Sequence, residues 1–103
     1  MKFTPADRVL IDATVLSTDE NGHANVVINT ESGSSRGVTV TGATLRNMNG
    51  RSLHEVWDAP VFVLIEGEVI SSNPVASEVR FEDGQQVTVL TTALSRLSFA
   101  MAR

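Results

Sequence analysis

Short runs in which Val, Ile or Phe alternate with Thr, Ser or charged residues, each ended by a polar turn that holds glycine, constrain this chain more than any other feature. Alternate side chains of an extended strand point to opposite faces, so runs of this kind bury one face and leave the other in water. From Arg8 to Leu16, Val9, Ile11, Ala13 and Val15 share one face, while Asp12 and Thr14 point the other way. Thr18-Asp19-Glu20-Asn21-Gly22 then reverses the chain, because Asn and Gly tolerate positive φ, and Val26-Val27-Ile28 begins a second strand. Glu31-Ser32-Gly33-Ser34-Ser35 is a further polar turn, followed by a strand in which Val38 and Val40 alternate with Thr39 and Thr41.

Leu45 to Gly50 reads as a tight turn or a short helix, and Ser52-Leu53-His54-Glu55 has capping-box spacing, which predicts a short helical turn around 52–58 that ends before Pro60. Val61 to Ile70 is the most apolar segment, with Val61, Val63, Ile65 and Val69 in phase and Gly67 where a strand can kink. Val79 and Phe81, the turn Glu82-Asp83-Gly84-Gln85, and Val87 and Val89 give the clearest hairpin. The tail from Thr92 predicts a 3₁₀ or α turn, with Leu97 and Phe99 closing the core.

The second half repeats the first. Ile11, Val15, Val26, Ile28, Gly33, Val38, Val40 and Leu45 fall opposite Ile65, Val69, Val79, Phe81, Gly84, Val87, Val89 and Leu94, and each change of offset falls in a turn. Two similar β units are therefore expected, one over 1–52 and one over 53–103, packed as one body because either alone is small for an independent core. The fold class is all-β and mainly antiparallel. From Asp58 to Phe99, the Val-rich strand, Glu66-Gly67-Glu68-Val69, Val79-Arg80-Phe81-Glu82-Asp83-Gly84, Val87-Thr88-Val89 and Leu94 resemble the SH3-like small barrels of the Tudor and KOW kind. That resemblance implies either two tandem SH3-like barrels or one pseudo-symmetric barrel or sandwich, with a 3₁₀ turn at Thr92-Ala93-Leu94 before the last strand. It brings no ligand with it, since the aromatic cages and grooves of such domains need exposed rings and this chain has no Tyr.

Composition removes several kinds of chemistry. With no cysteine there is no disulfide, thiolate zinc site or thiol nucleophile. The apolar stretch Val9 to Leu16 is broken by Asp12 and Thr14, so neither a signal segment nor a membrane span is expected there. The net charge of −4 disfavours a protein devoted to holding phosphates. All of that charge lies in 53–103, where three basic residues stand against seven acidic ones, while 1–52 carries five of each.

The remaining candidates for chemistry are sparse. His23 and His54 lie in a turn and in the segment between the units, without carboxylates at metal-ligand spacing. Glu66 and Glu68 project from one side of a strand as paired carboxylates do, but a solvated strand face is the expected role, as for Glu82 and Asp83 at a hairpin tip. Ser32-Gly33-Ser34-Ser35-Arg36-Gly37 lacks the Lys and helix of a phosphate loop and reads as a flexible hairpin. Trp57 is expected either to bind the two units together or to anchor a partner, as Trp often does at interfaces. The expectation is a non-catalytic protein-binding or assembly module, self-associating or part of a larger, phage-like complex, without cofactor, metal or membrane partner, in a cytoplasm or a virion-type assembly. Its partner-binding residues would be Trp57, Phe62, Arg36, Arg46 and Arg51. The alternative is a nucleic-acid or nucleotide binder that uses Arg36, Arg46 and Arg51.

Overall fold

A computed structural model of the protein describes residues 3–97. Its strands are β1 (Arg8–Thr18), β2 (His23–Asn29), β3 (Ser35–Thr41), β4 (Leu45–Arg46), β5 (Phe62–Ser72), β6 (Ala76–Arg80), β7 (Gln86–Leu90) and β8 (Leu94–Arg96), with a 3₁₀ turn at Thr91–Ala93. They form one antiparallel sheet in the order β3-β2-β1-β5-β6-β7, with β4 added beside β5 and β8 beside β1. The sheet curls into a nearly closed barrel. Of the arrangements expected, a single barrel is the one formed.

One turn recurs at 19–23, 30–34, 47–51 and 81–85. In each, the first residue's N–H donates to the fifth residue's carbonyl, and the fourth residue, always Gly, donates back to the first. These glycines, Gly22, Gly33, Gly50 and Gly84, have φ of 85°, 89°, 86° and 89°, so the position needs a residue without a Cβ. Where the first residue carries a side-chain oxygen it fixes the turn further: Asp19 Oδ1 accepts from the amides of Asn21 and His23, and Asn47 Oδ1 accepts from those of Asn49 and Arg51.

The strand phases follow the alternation except at Val61, expected in phase with Val63, which precedes β5 and is exposed. Val9, Ile11, Ala13, Val26, Ile28, Val38, Val40, Val63, Ile65, Val69, Val79, Phe81, Val87 and Val89 all belong to one buried cluster, closed at its ends by Phe3, Leu45, Val56 and Leu94. Leu97 is half-buried, and Phe99 lies outside the described residues. Gly67 falls on the core face in regular register with Val9, and a Cβ there would clash with Val79 Cγ1. The glycine thus makes room for Val79 and Phe81, and the irregularity in β5 lies later, between Val69 and Ser71. The helical turn expected around 52–58 does not form. Ser52 Oγ accepts from the His54 amide instead of that of Glu55, Glu55 N–H donates to Leu53 O, and His54 has φ of 64°, which no helix accommodates.

The barrel has a pseudo-twofold axis through the Ile11–Ile65 pair. Adding 54 to a β1 number gives its β5 counterpart, and the β1–β5 ladder, from Arg8–Glu68 to Thr14–Phe62, maps onto itself under that exchange. The bulge between Val15 and Ser17 matches the one between Val69 and Ser71, and Leu45 pairs with Ile65 as Leu94 pairs with Ile11.

The seam between the two end strands is closed largely by side chains. Glu31 N–H donates to Thr88 O at 2.9 Å, and Gln85 Nε2 donates to Gly37 O at 2.7 Å. The outward amides of β3 at Thr39 and Thr41 donate to Asp83 Oδ2 and Glu82 Oε1, each at 2.9 Å. The 81–85 turn therefore caps an exposed sheet edge with carboxylates where another strand would otherwise pair. Among the described residues no helix is long and apolar enough to cross a membrane.

Candidate functional site

The pseudo-twofold places two related clefts on the outer face of the β1–β5 ladder, and apart from one carboxylate in each, Glu66 and Asp12, their side chains differ. The first is lined by Arg8, Thr44, Glu66, Glu68, Arg80 and Glu82 and holds about 370 Å³. Glu66 is 8% exposed. Its Oε2 accepts from Arg46 Nε and Nη2 at 3.0 and 2.8 Å and its Oε1 from Arg8 Nη2 at 3.1 Å, while Arg46 Nη1 donates to Gly50 O. Glu68 pairs with Arg80 at 3.1 Å. The solvated role expected of Glu66 is thus corrected: its carboxylate is buried between Arg8 and Arg46, and the two guanidinium groups compensate its charge. The outer oxygens of Glu66 and Glu68 are held by arginines, which turns the pair into an ion-pair network.

The second cleft holds about 460 Å³ and is lined by Asp12, Thr14, Val27, Asn29, Met48 and Phe62. Thr14 pairs with Phe62 across β1–β5 and with Val27 across β1–β2, so these three form one outward row, and the 47–51 turn sets Met48 beside it. Phe62 is 65% exposed and Met48 50%. Large apolar side chains held open on a rigid strand ladder are the usual mark of a recognition surface. Asp12 takes no part in the ion pairs among the described residues.

The residues singled out from sequence scatter. Phe62 is in the second cleft. Trp57 is 51% exposed, and the adjacent Val56 is the side chain buried in the core. Arg46 is committed to Glu66, Arg51 is exposed at the end of the 47–51 turn, and Arg36 lines a separate groove beside Thr30, Ser32 and Ser34, whose hydroxyls bond one another. His23 lies 3.6 Å from Asp19, and His54 Nδ1 meets Ser52 Oγ. Among the described residues no group of His, Asp and Glu could hold a metal ion. Sequence reasoning missed Asp12, Thr14, Val27 and Met48 as a site. The repeat carried a usable signal, since it sets Asp12 opposite Glu66 and Phe62 opposite Arg8.

The hairpin-tip carboxylates are also functional groups of the fold. Burial raises the Glu82 carboxyl, but the Thr41 hydroxyl and amide and the Thr44 hydroxyl outweigh it and hold the group below its ordinary value. Asp83 is likewise raised by burial and lowered further by the Thr39 amide and by Gln85. Asp7 is lowered first by the Thr4 amide and also by Arg96, and Asp19 by the His23 and Asn21 amides.

These features define an all-β protein with a nearly closed antiparallel barrel that carries one charged outer cleft and one lined largely by apolar side chains. No protein-family description, curated protein or solved structure matches the chain.

Proposed function

We propose that this protein is a non-catalytic protein-binding module of a larger assembly, and that it engages its partner through the Phe62 cleft. The observation that carries this reading is the exposed Phe62, held beside Val27 and Thr14 on paired strands, with the exposed Met48 of the 47–51 turn lining the same cleft. A preformed apolar cleft lets binding proceed without ordering a new surface. The clustered carboxylates support it too, because they serve ion pairs and the seam. The 3₁₀ turn at Thr91–Ala93 directly before β8 supports an SH3-like reading of the barrel, and the matched bulges support an origin by duplication of units near 1–52 and 53–103. For phosphate binding, Arg36 and Arg51 remain while Arg46 is taken by Glu66.

The test compares wild type with Phe62→Ser in affinity capture from the source cells, alongside light scattering of the purified chain. A partner or self-complex retained by wild type and lost by the variant is the expected result. A strict monomer that captures nothing, or equal capture by both proteins, would overturn the reading.

A further inference from the structure

The pseudo-twofold relates two carboxylates in opposite situations. Glu66 corresponds to Asp12, Arg8 to Phe62 and, through the pairing of β4 with β5 and of β8 with β1, Arg46 to Ser95. Beside Glu66 the two flanking places are filled by Arg8 and Arg46. Beside Asp12 both are open. On the Phe62 side lies the cleft of about 460 Å³, on the Ser95 side a second cleft of about 410 Å³, and Asp12 and Asn29 line both.

We propose that Asp12 receives an arginine from the partner protein, in the place that Arg46 occupies beside Glu66, while an apolar neighbour of that arginine packs on Phe62 and Met48. The proposal rests on the partner-binding reading above and names the chemistry of its partner. The fold itself shows the interaction at the equivalent position, where one guanidinium gives Nε and Nη2 to a single carboxylate oxygen. Arginine suits the place better than lysine, because its planar fork is weakly hydrated and its stem lies flat on apolar surface. Asn29 offers a second polar contact at the same end of the cleft. The net charge of −4 adds a general attraction for a basic segment.

The probe is the peptide N-acetyl-Leu-Arg-Leu-amide, titrated into the full chain and followed by amide NMR shifts, with the citrulline peptide as an uncharged isostere. Shifts should centre on Asp12, Asn29 and Ser95, where the arginine sits, and on Thr14 and Phe62, where its apolar neighbour packs. Citrulline, or the change Asp12→Asn, should weaken binding about tenfold, the usual worth of a charge-assisted hydrogen bond. Asp12 is exposed, so Asp12→Asn leaves the fold intact, and the unshifted remainder of its spectrum verifies this. Equal binding of both peptides, unchanged binding by Asp12→Asn, or no localised shift up to about 10 mM peptide would overturn the proposal. In the capture experiment, loss of the partner with Phe62→Ser but not with Asp12→Asn would refute the arginine site and leave the module reading standing.

Discussion

Glu82 closes the barrel seam through its charge, so Glu82→Gln separates charge from shape at that point. Its Oε1 accepts from the Thr41 amide at 2.9 Å and its Oε2 from the Thr41 hydroxyl at 2.6 Å, and the Thr44 hydroxyl donates to Oε1. A hydrogen bond to a charged group is worth roughly 1.5–3 kcal/mol when buried, and water competing at an exposed side chain cuts this several-fold. Three such bonds at an exposed site therefore contribute about 1–2 kcal/mol together. The Gln amide keeps one acceptor, so Glu82→Gln should cost about 1 kcal/mol at neutral pH. The sign of the pH effect follows from the folded-state pKa, which lies below the ordinary value of 4.5. Such a group adds stability that is complete above its unfolded value and disappears as pH falls through the folded one. Urea unfolding followed by far-UV dichroism should show wild type and variant apart at pH 7 and converging at pH below 4.5. Asp83 titrates in both proteins, which is why their difference is the quantity to follow. Hydrogen exchange at Thr41 should quicken in the variant. Stability curves that stay parallel at every pH, or an unchanged Thr41 exchange rate, would refute the charge-capped seam.

Glu66→Ala should cost about 3–5 kcal/mol, since it takes the carboxylate away from the largely buried Arg46, whereas Arg8→Ala, at the exposed end of the same network, should cost under about 1 kcal/mol. Denaturation midpoints decide between them, and equal losses would place the weight on Arg8. Gly67→Ala forces Val79 and Phe81 aside and should cost about 1–3 kcal/mol, while Gly37→Ala, whose nearest contact would be 4.0 Å away, should be neutral or slightly stabilising. A tolerated Gly67→Ala would mean that the sheet moves apart there. Trp57→Ala should leave the thermal midpoint nearly unchanged, within about 0.5 kcal/mol, against about 1–3 kcal/mol for Val56→Ala. The reverse order would return Trp57 to the core.

Much of the fold was legible in local pattern. The period of two fixed which side chains of each strand face inward, because Val9, Ile11, Val26, Val38, Ile65 and Val79 carry the same signal in sequence that they satisfy in the cluster. The glycine turns were legible for the same reason: their hydrogen bonds close within five residues, so nothing distant is needed to specify them. The 52–58 segment failed because a capping box is only a local preference. There a β turn and the burial of Val56 prevailed, which left Trp57 in solvent.

The candidate site was less legible, and the reason is distance along the chain. Arg46 reaches Glu66 across 20 residues, Arg8 reaches it across 58, and Thr41 meets Glu82 across 41. Alternation states that Glu66 and Asp12 face outward, but only the curl of the sheet decides that the first is covered and paired while the second opens on two clefts. The sequence by itself determined the strands, their inward faces and the glycine turns, because those depend on backbone geometry and hydrophobic period. Tertiary structure alone decided which charges meet, how the seam closes and which apolar side chains stay exposed, because those depend on which distant strands the barrel brings side by side.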